Sequence, residues 1–304
     1  MPEILRTPVD KQSIQAEAAS VGIDLMYIES PSAKLALWHI GKGPPILLLH
    51  GVTYSSMSVF DLHVEGYERK EFSLMMRLAE AGFSAYALDF EGYGLSDSRP
   101  GISSIEGYCS DISWALRAIE NHSGEPQTSI IGWSWGGQVA SRFSGQFPDR
   151  VKRLVFWGSF WGGGESGKPK ALNGVIPPAT ARRRNTISHA GADFKTPENY
   201  PNDVREAFVR RALQIDPTSS TAGVHAVAYD VPLHSPLNLH MPVLVTHGSH
   251  DPMSNPDDVA EFLAKVPHSN VQYEVIKNAD HNAQFCHGKK DLDRVLCRFL
   301  NQSI

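Results

Sequence analysis

The chain has 304 residues, of which 41% are hydrophobic, 20% charged and 9% aromatic, so it can build a sizeable core and is neither a disordered segment nor a disulfide-stapled miniprotein. Twenty-eight Lys and Arg against 33 Asp and Glu leave a net charge of −5, which excludes a basic surface for nucleic acid or an anionic membrane. Three cysteines, Cys109, Cys286 and Cys297, cannot all pair and lack C-x-x-C spacing, which reads as free thiols in a reducing compartment without a zinc knuckle.

The first twenty residues carry Glu3, Asp10, Lys11 and Glu17 with no continuous apolar stretch, unlike a secretory signal. Apolar runs such as Ile46-Leu47-Leu48-Leu49 are far too short to span a bilayer, so a cytoplasmic location is expected. Residues 35–40 read as an early strand, and residues 45–49 as a fully apolar one that ends in His50-Gly51. Residues 68–81 have helical spacing, with Leu74, Met75, Leu78 and Ala81 on one side. A strand follows at 83–88, a helix at 103–120, and a strand at 128–132 that runs directly into a helix at 136–147. After a strand at 151–156 the rhythm lapses. It resumes with a strand at 243–246, a helix at 257–265, a strand at 271–276 and a closing helix at 291–300.

Apolar strands separated by amphipathic helices describe a parallel sheet covered on both faces, an α/β fold that binds ligands at the carboxyl ends of its strands. Residues 161–241 interrupt it with prolines, the run Gly162-Gly163-Gly164 and one good helix at 202–214, but no clear strand. About eighty residues is too long for a structureless connection, so this segment is expected to be a helical cap, or lid, between two core segments, 1–160 and 242–304. The tight basic cluster Arg182-Arg183-Arg184 reads as a solvated loop or helix face rather than a phosphate site.

The strongest local signal is Gly132-Trp133-Ser134-Trp135-Gly136-Gly137, a G-x-S-x-G between a strand and a helix. Such a turn holds its serine in a strained conformation above the sheet, and Gly132 and Gly136 give it clearance. A serine hydroxyl needs a base, oriented in turn by a third group. The strand at 243–246 leads to Asp251, the acid candidate, and the strand at 271–276 leads to His281, the base candidate. Among their rivals, Asp257 and Asp258 stand at a helix start and read as N-cap or helix-dipole groups, and Asp280 is expected to point away. His247 and His250 read as loop histidines, and His287 as part of the last helix. Two backbone N–H groups must meet the developing oxyanion: that of Trp135, and that of Val52 in the loop His50-Gly51-Val52-Thr53, which His50 shapes by hydrogen bonding.

His50-Gly51, the loop Asp89-Phe90-Glu91-Gly92-Tyr93-Gly94-Leu95-Ser96, the G-x-S-x-G elbow, Asp251 and His281 together closely resemble the α/β-hydrolase superfamily over about residues 35–160 and 240–300. The resemblance implies a three-layer α/β-hydrolase fold, with a mostly parallel eight-stranded sheet and a helical cap inserted after the sixth strand. It implies Ser134, Asp251 and His281 as triad, the Val52 and Trp135 amides as oxyanion donors, and no metal or organic cofactor. Its D-x-x-G-x-G-x-S loop implies that Asp89 shapes a turn. A serine nucleophile, where haloalkane dehalogenases and epoxide hydrolases use aspartate, points away from their chemistry. The loop also departs from the H-G-G-P-G of proline iminopeptidases and the H-G-G-G of hormone-sensitive-lipase-like esterases.

Trp133, Trp135, Trp157 and Trp161 cluster with Phe156 and Phe160 near strand ends. Aromatic lining favours a bulky apolar or aromatic substrate group. Trp133, Phe160, Trp161 and Tyr54 are the candidate lining residues, although Trp133 and Trp157 equally suit packing beneath neighbouring strands. The expectation is a serine esterase acting on a small-molecule carboxylic ester. Its rivals are a diketone C–C hydrolase, a lactonase or amidase with the same triad, and a ligand receptor on the same scaffold. Oligomeric state is not written in the sequence. As the histidine must be neutral to act, activity is expected to fall in acid with a midpoint near or below about 7.

Overall fold

The computed structural model describes residues 10–31, 33–98, 104–163, 178–179, 181–267 and 271–302. The start of the 103–120 helix, Gly164 of the glycine run and residues 1–9 lie outside the described residues. A first helix, α1 (Lys11–Ala19), precedes β1 (Asp24–Glu29), β2 (Lys34–Gly41) and β3 (Pro45–Leu49). Then follow α2 (Ser56–Val59), α3 (Leu74–Glu80), β4 (Ser84–Asp89), α4 (Ile105–Ser123), β5 (Thr128–Trp133), α5 (Trp135–Gln146) and β6 (Val151–Trp157). The intervening segment holds β7 (Arg182–Arg184), α6 (Ile187–Ala190), α7 (Val204–Ile215), β8 (Thr218–Ser220) and α8 (Ala222–Tyr229). The chain closes with β9 (Val243–Gly248), α9 (Pro256–Lys265), β10 (Val271–Ile276) and α10 (Lys289–Leu300).

Eight strands form one sheet in the order β1-β2-β4-β3-β5-β6-β9-β10. The pairs β1·β2 and β2·β4 are antiparallel and all the others parallel, which matches the expected α/β-hydrolase architecture. Every residue of β3, β4 and β5 is buried, because a strand covered on both faces exposes neither side of its pleat. Alternation then sorts the side chains. Ile46, Leu48, Ile131, Trp133, Val155 and Trp157 face the layer of α3 and α10, whereas Leu47, Leu49, Ile130, Leu154 and Phe156 face α4, α5 and α9. Among the described residues no helix is long and apolar enough to cross a membrane.

Several local readings are corrected. The helix expected over 68–81 is broken at Ser73, which caps α3 by accepting the Met76 N–H at 3.2 Å and is preceded by a 3-10 turn at Arg69–Phe72. The segment 161–241 does contain strands: Arg182–Arg184 pairs antiparallel with Thr218–Ser220. The arginine cluster is therefore neither loop nor helix. Arg182 donates to the Gly92 carbonyl and Arg183 to Thr53 Oγ1 at 2.8 Å, so two of the three are spent on loops of the core.

Candidate active site

Strand β5 ends at Trp133 and α5 begins at Trp135, so Ser134 stands alone at the corner with φ +57° and ψ −127°. A non-glycine residue at positive φ stores strain and persists only where its surroundings dictate it. Here the Ser134 amide donates to the Trp157 carbonyl at 2.8 Å and the Ser134 carbonyl accepts from Gly137. The two glycines give the expected clearance. A Cβ on Gly132 would lie 2.5 Å from the Gly136 carbonyl oxygen, and one on Gly136 would lie 2.4 Å from that of Leu49.

His281 follows β10 through a turn in which Asn278 adopts φ +53°. Asp251 follows β9. The two loops are laced together: the Ser249 amide donates to the Ile276 carbonyl at 2.8 Å and the His250 amide to Ala279 at 2.9 Å. As a result, His281 Nδ1 lies 3.0 and 3.1 Å from the two oxygens of Asp251. The Asp251 carboxylate also accepts from the Met253 amide at 2.9 Å and from the Ser254 hydroxyl at 3.3 Å. With Nδ1–H donating to the carboxylate, Nε2 keeps its lone pair. Trp133 lies beneath the imidazole, ring centroids 4.9 Å apart, and its indole N–H donates to the His281 carbonyl at 3.0 Å.

Gly158 joins the serine corner to this pair. It follows Trp157, the acceptor for Ser134, and a Cβ on it would lie 3.2 Å from Asp251 Oδ2 and 3.3 Å from His281 Nδ1. The structure thus gathers Ser134, Asp251 and His281 at one end of the sheet. The rivals fall elsewhere. Asp280 accepts from the Thr196 amide at 2.7 Å and Asn199 Nδ2 at 2.6 Å. Asp257 and Asp258 stand in the first turn of α9, as its dipole favours, but its cap is Asn255 and Asp258 accepts from the Trp161 and Gly162 amides. His247 is a buried residue of β9 beside Tyr273, not a loop residue, and His287 precedes α10.

The loop after β3 lies against the corner. A Cβ on Gly51 would meet Ser134 Cβ at 3.3 Å, so Val52 follows directly beside the serine corner. Buried His50 accepts the Phe90 N–H on Nε2 at 3.2 Å. Its proton therefore sits on Nδ1 and is donated to the Gly51 carbonyl at 2.8 Å, and burial lowers its pKa to about 4. The Val52 carbonyl accepts from the Tyr93 hydroxyl at 2.7 Å. Asp89 stitches this region by accepting from Trp38 Nε1, Ser56 N and Leu95 N.

Asp216, from the segment between α7 and β8, was not legible in the sequence. It accepts from Ser55 N at 2.8 Å, Ser55 Oγ at 2.6 Å and Gly94 N at 2.8 Å. Gly94 sits at φ +53°, where a Cβ would lie 2.2 Å from Asp89 Oδ2. Gly94→Ala is expected to destabilise the fold by at least about 2 kcal/mol, read as a lowered midpoint in urea with an unchanged slope.

Of the aromatic candidates, Trp161 is 5% exposed and packs near Phe262, its indole donating to the His234 carbonyl at 3.2 Å. The Phe160 carbonyl accepts from Gln138. Tyr54 packs edge-on against Phe208 of α7, and its buried hydroxyl has no hydrogen-bond partner among the described residues.

Burial opposes a charged His281, but Asp251 on Nδ1, with Asp193 and Asp280 nearby, outweighs it and raises the imidazole above its ordinary 6.5. Burial likewise works against the Asp251 carboxylate, yet His281 and the Met253 N–H hold it below the usual carboxylate range. For a base that must be neutral, a raised pKa moves the acid limb of the profile upward. The apparent midpoint in kcat/KM is therefore expected above 6.5, with activity lost as pH falls through it. This places the midpoint at or above the upper end of the range expected from sequence, and a profile still flat at pH 6 would contradict it.

A sequence model of the family described as alpha/beta hydrolase fold matches residues 44–287. The chain belongs to the α/β-hydrolase fold family. Among the relatives of this α/β hydrolase is a haloalkane dehalogenase from Mycolicibacterium paratuberculosis, 25% identical over 84% of this chain and 83% of that protein. A bifunctional epoxide hydrolase 2 from Sus scrofa is 31% identical over half of the chain, which spans a quarter of that protein's length. Among solved structures, a meta-cleavage product hydrolase from Pseudomonas fluorescens superposes with a TM-score of 0.67 at 18% identity, covering 91% of this chain and 97% of that one. An esterase from Exiguobacterium antarcticum gives 0.66 at 16% identity, covering 91% and 99%. At such identities these structures share the fold. Hydrolase activity is common to the relatives named; the bond cleaved differs among them.

Proposed function

We propose that this α/β hydrolase is a serine hydrolase that cleaves a carboxylic ester of a small molecule through an acyl-enzyme. The observation that carries the reading is the His281–Asp251 pair at 3.0 Å, backed by Gly158 on the same sheet end as the strained Ser134. His281 Nε2 takes the proton as Ser134 Oγ attacks the carbonyl, and Asp251 steadies the resulting imidazolium. The amides of Val52 and Trp135 receive the oxyanion. Collapse expels the alcohol, which takes its proton from His281; water then enters by the same route and frees the acid. A serine is suited to acyl chemistry in particular. Attack on an alkyl halide or epoxide would leave an ether, with no carbonyl for water to reopen.

Residues 161–241 serve as the cap. Arg183 on Thr53, Phe208 on Tyr54, and Gly223 against Val52 and Trp135 support this reading. Tyr54 and Phe160 line the substrate's space, while Trp133 supports His281 and Trp161 braces the cap's base. Cytoplasmic action is supported by Cys109, Cys286 and Cys297 all being unpaired.

The test is a panel of p-nitrophenyl esters, lactones, anilides and vinylogous diketones, with fluorophosphonate labelling read by peptide mass. Ester turnover with the label on Ser134 is expected. A label elsewhere, or diketone cleavage without ester turnover, would overturn the ester reading.

A further inference from the structure

The cap segment between α6 and α7 is held to the core at two points that bracket residue 193. Phe194 packs on Phe208, ring centroids 5.5 Å apart, and Phe208 packs on Tyr54 at 5.5 Å. The Thr196 amide donates to Asp280, the neighbour of His281. Asp193 therefore stands between the loop that carries Val52 and the loop that carries the catalytic histidine. Its carboxylate is felt by both Tyr54 and His281.

Every other carboxylate described above at this end of the sheet has its donors. Asp251 has His281, Met253 and Ser254; Asp280 has Thr196 and Asn199; Asp216 has Ser55 and Gly94; Asp89 has Trp38, Ser56 and Leu95. The half-buried Asp193 carboxylate accepts no hydrogen bond and joins no ion pair among the described residues. Its main chain is by contrast committed, the carbonyl accepting from the Tyr200 hydroxyl at 3.3 Å. The charged groups that act on the carboxylate are His281, Asp251 and the exposed Lys195. The neighbouring Tyr54 hydroxyl is buried and also lacks a partner. The Tyr54 hydroxyl is therefore a buried polar group still lacking a partner, and the half-buried Asp193 carboxylate beside it is an unpaired charge open to a cationic group.

We propose that Asp193 gives the site a charge preference: it receives a cationic, ammonium-type group of the substrate beside the scissile ester and turns anionic substrates away. The inference rests on the serine-hydrolase reading above. It goes beyond that reading because it fixes a feature of the substrate that triad and oxyanion loop leave open.

The experiment compares kcat/KM for three p-nitrophenyl esters of matched shape: γ-trimethylammonio-butyrate, its neutral tert-butyl isostere and the glutarate half-ester. A parallel series places the same charges on the alcohol side. The expected preference for cation over anion is about tenfold or more, the scale of a half-screened unit charge a few ångströms away. It narrows as salt rises. Asp193→Asn should bring the ratio near unity and Asp193→Lys should invert it, with thermal melting confirming folded variants. A wild-type ratio near one in both series, or a ratio unmoved in the Asn variant, overturns the proposal. Absence of turnover for all three esters together with absence of fluorophosphonate labelling is a different result, and would remove the hydrolase reading itself.

Discussion

Ser134→Ala is expected to lower kcat for p-nitrophenyl butyrate by about 10³–10⁶-fold, the range set by losing a nucleophile while the oxyanion donors remain. The substitution should be structurally silent. Alanine at φ +57° is no more strained than serine, the Ser134 amide still reaches the Trp157 carbonyl, and nothing in the helix start depends on Oγ, which makes no capping bond to α5. Equal melting temperatures with lost turnover and lost fluorophosphonate labelling are the predicted outcome. More than a tenth of wild-type activity would show that another group attacks.

Asp251→Asn is expected to cost about 10⁴-fold in kcat. Asparagine fills the same space, and its carbonyl can still accept the Met253 N–H that the carboxylate now accepts at 2.9 Å. What it loses is the charge. His281 Nδ1 faces two carboxylate oxygens at 3.0 and 3.1 Å; an amide there offers an N–H that invites the wrong tautomer, with the proton on Nε2 where the serine must deliver its own. The same change removes the group that holds the imidazole above its ordinary range, so the residual activity should also show its acid limb shifted downward. A loss of rate with an unmoved limb would mean that Asp251 only supports the loop.

The strands that build the site were legible because each announces itself twice. β3 is a continuous apolar run ended by His50-Gly51, and β5 is a short strand around Ile130-Ile131 that runs straight into the serine corner. The D-x-x-G-x-G-x-S loop was likewise legible as a turn, although not as the stitch between Trp38, Ser56 and Leu95 that Asp89 makes of it. What stayed hidden depends on partners remote in the chain. β7 is three arginines, poor strand material locally, and forms because Thr218–Ser220 lies beside it. Asp258 has the sequence context of a helix cap, yet it serves the Trp161 and Gly162 amides nearly a hundred residues away. Asp193 and Asp216 carry no local pattern at all, since their meaning comes from where the segment between β6 and β9 meets the core.

The Asp216 carboxylate has a consequence for how firmly the segment between β6 and β9 is joined to the core. One side chain from the intervening segment grips two loops that belong to the core, Ser55 in the loop after β3 and Gly94 in the loop after β4. The segment at that end is thus a structural member of the core loops it binds, and moving it away would break those three hydrogen bonds. A shortened protein with that segment excised would lose the three hydrogen bonds through which the Asp216 carboxylate fixes the Ser55 and Gly94 loops.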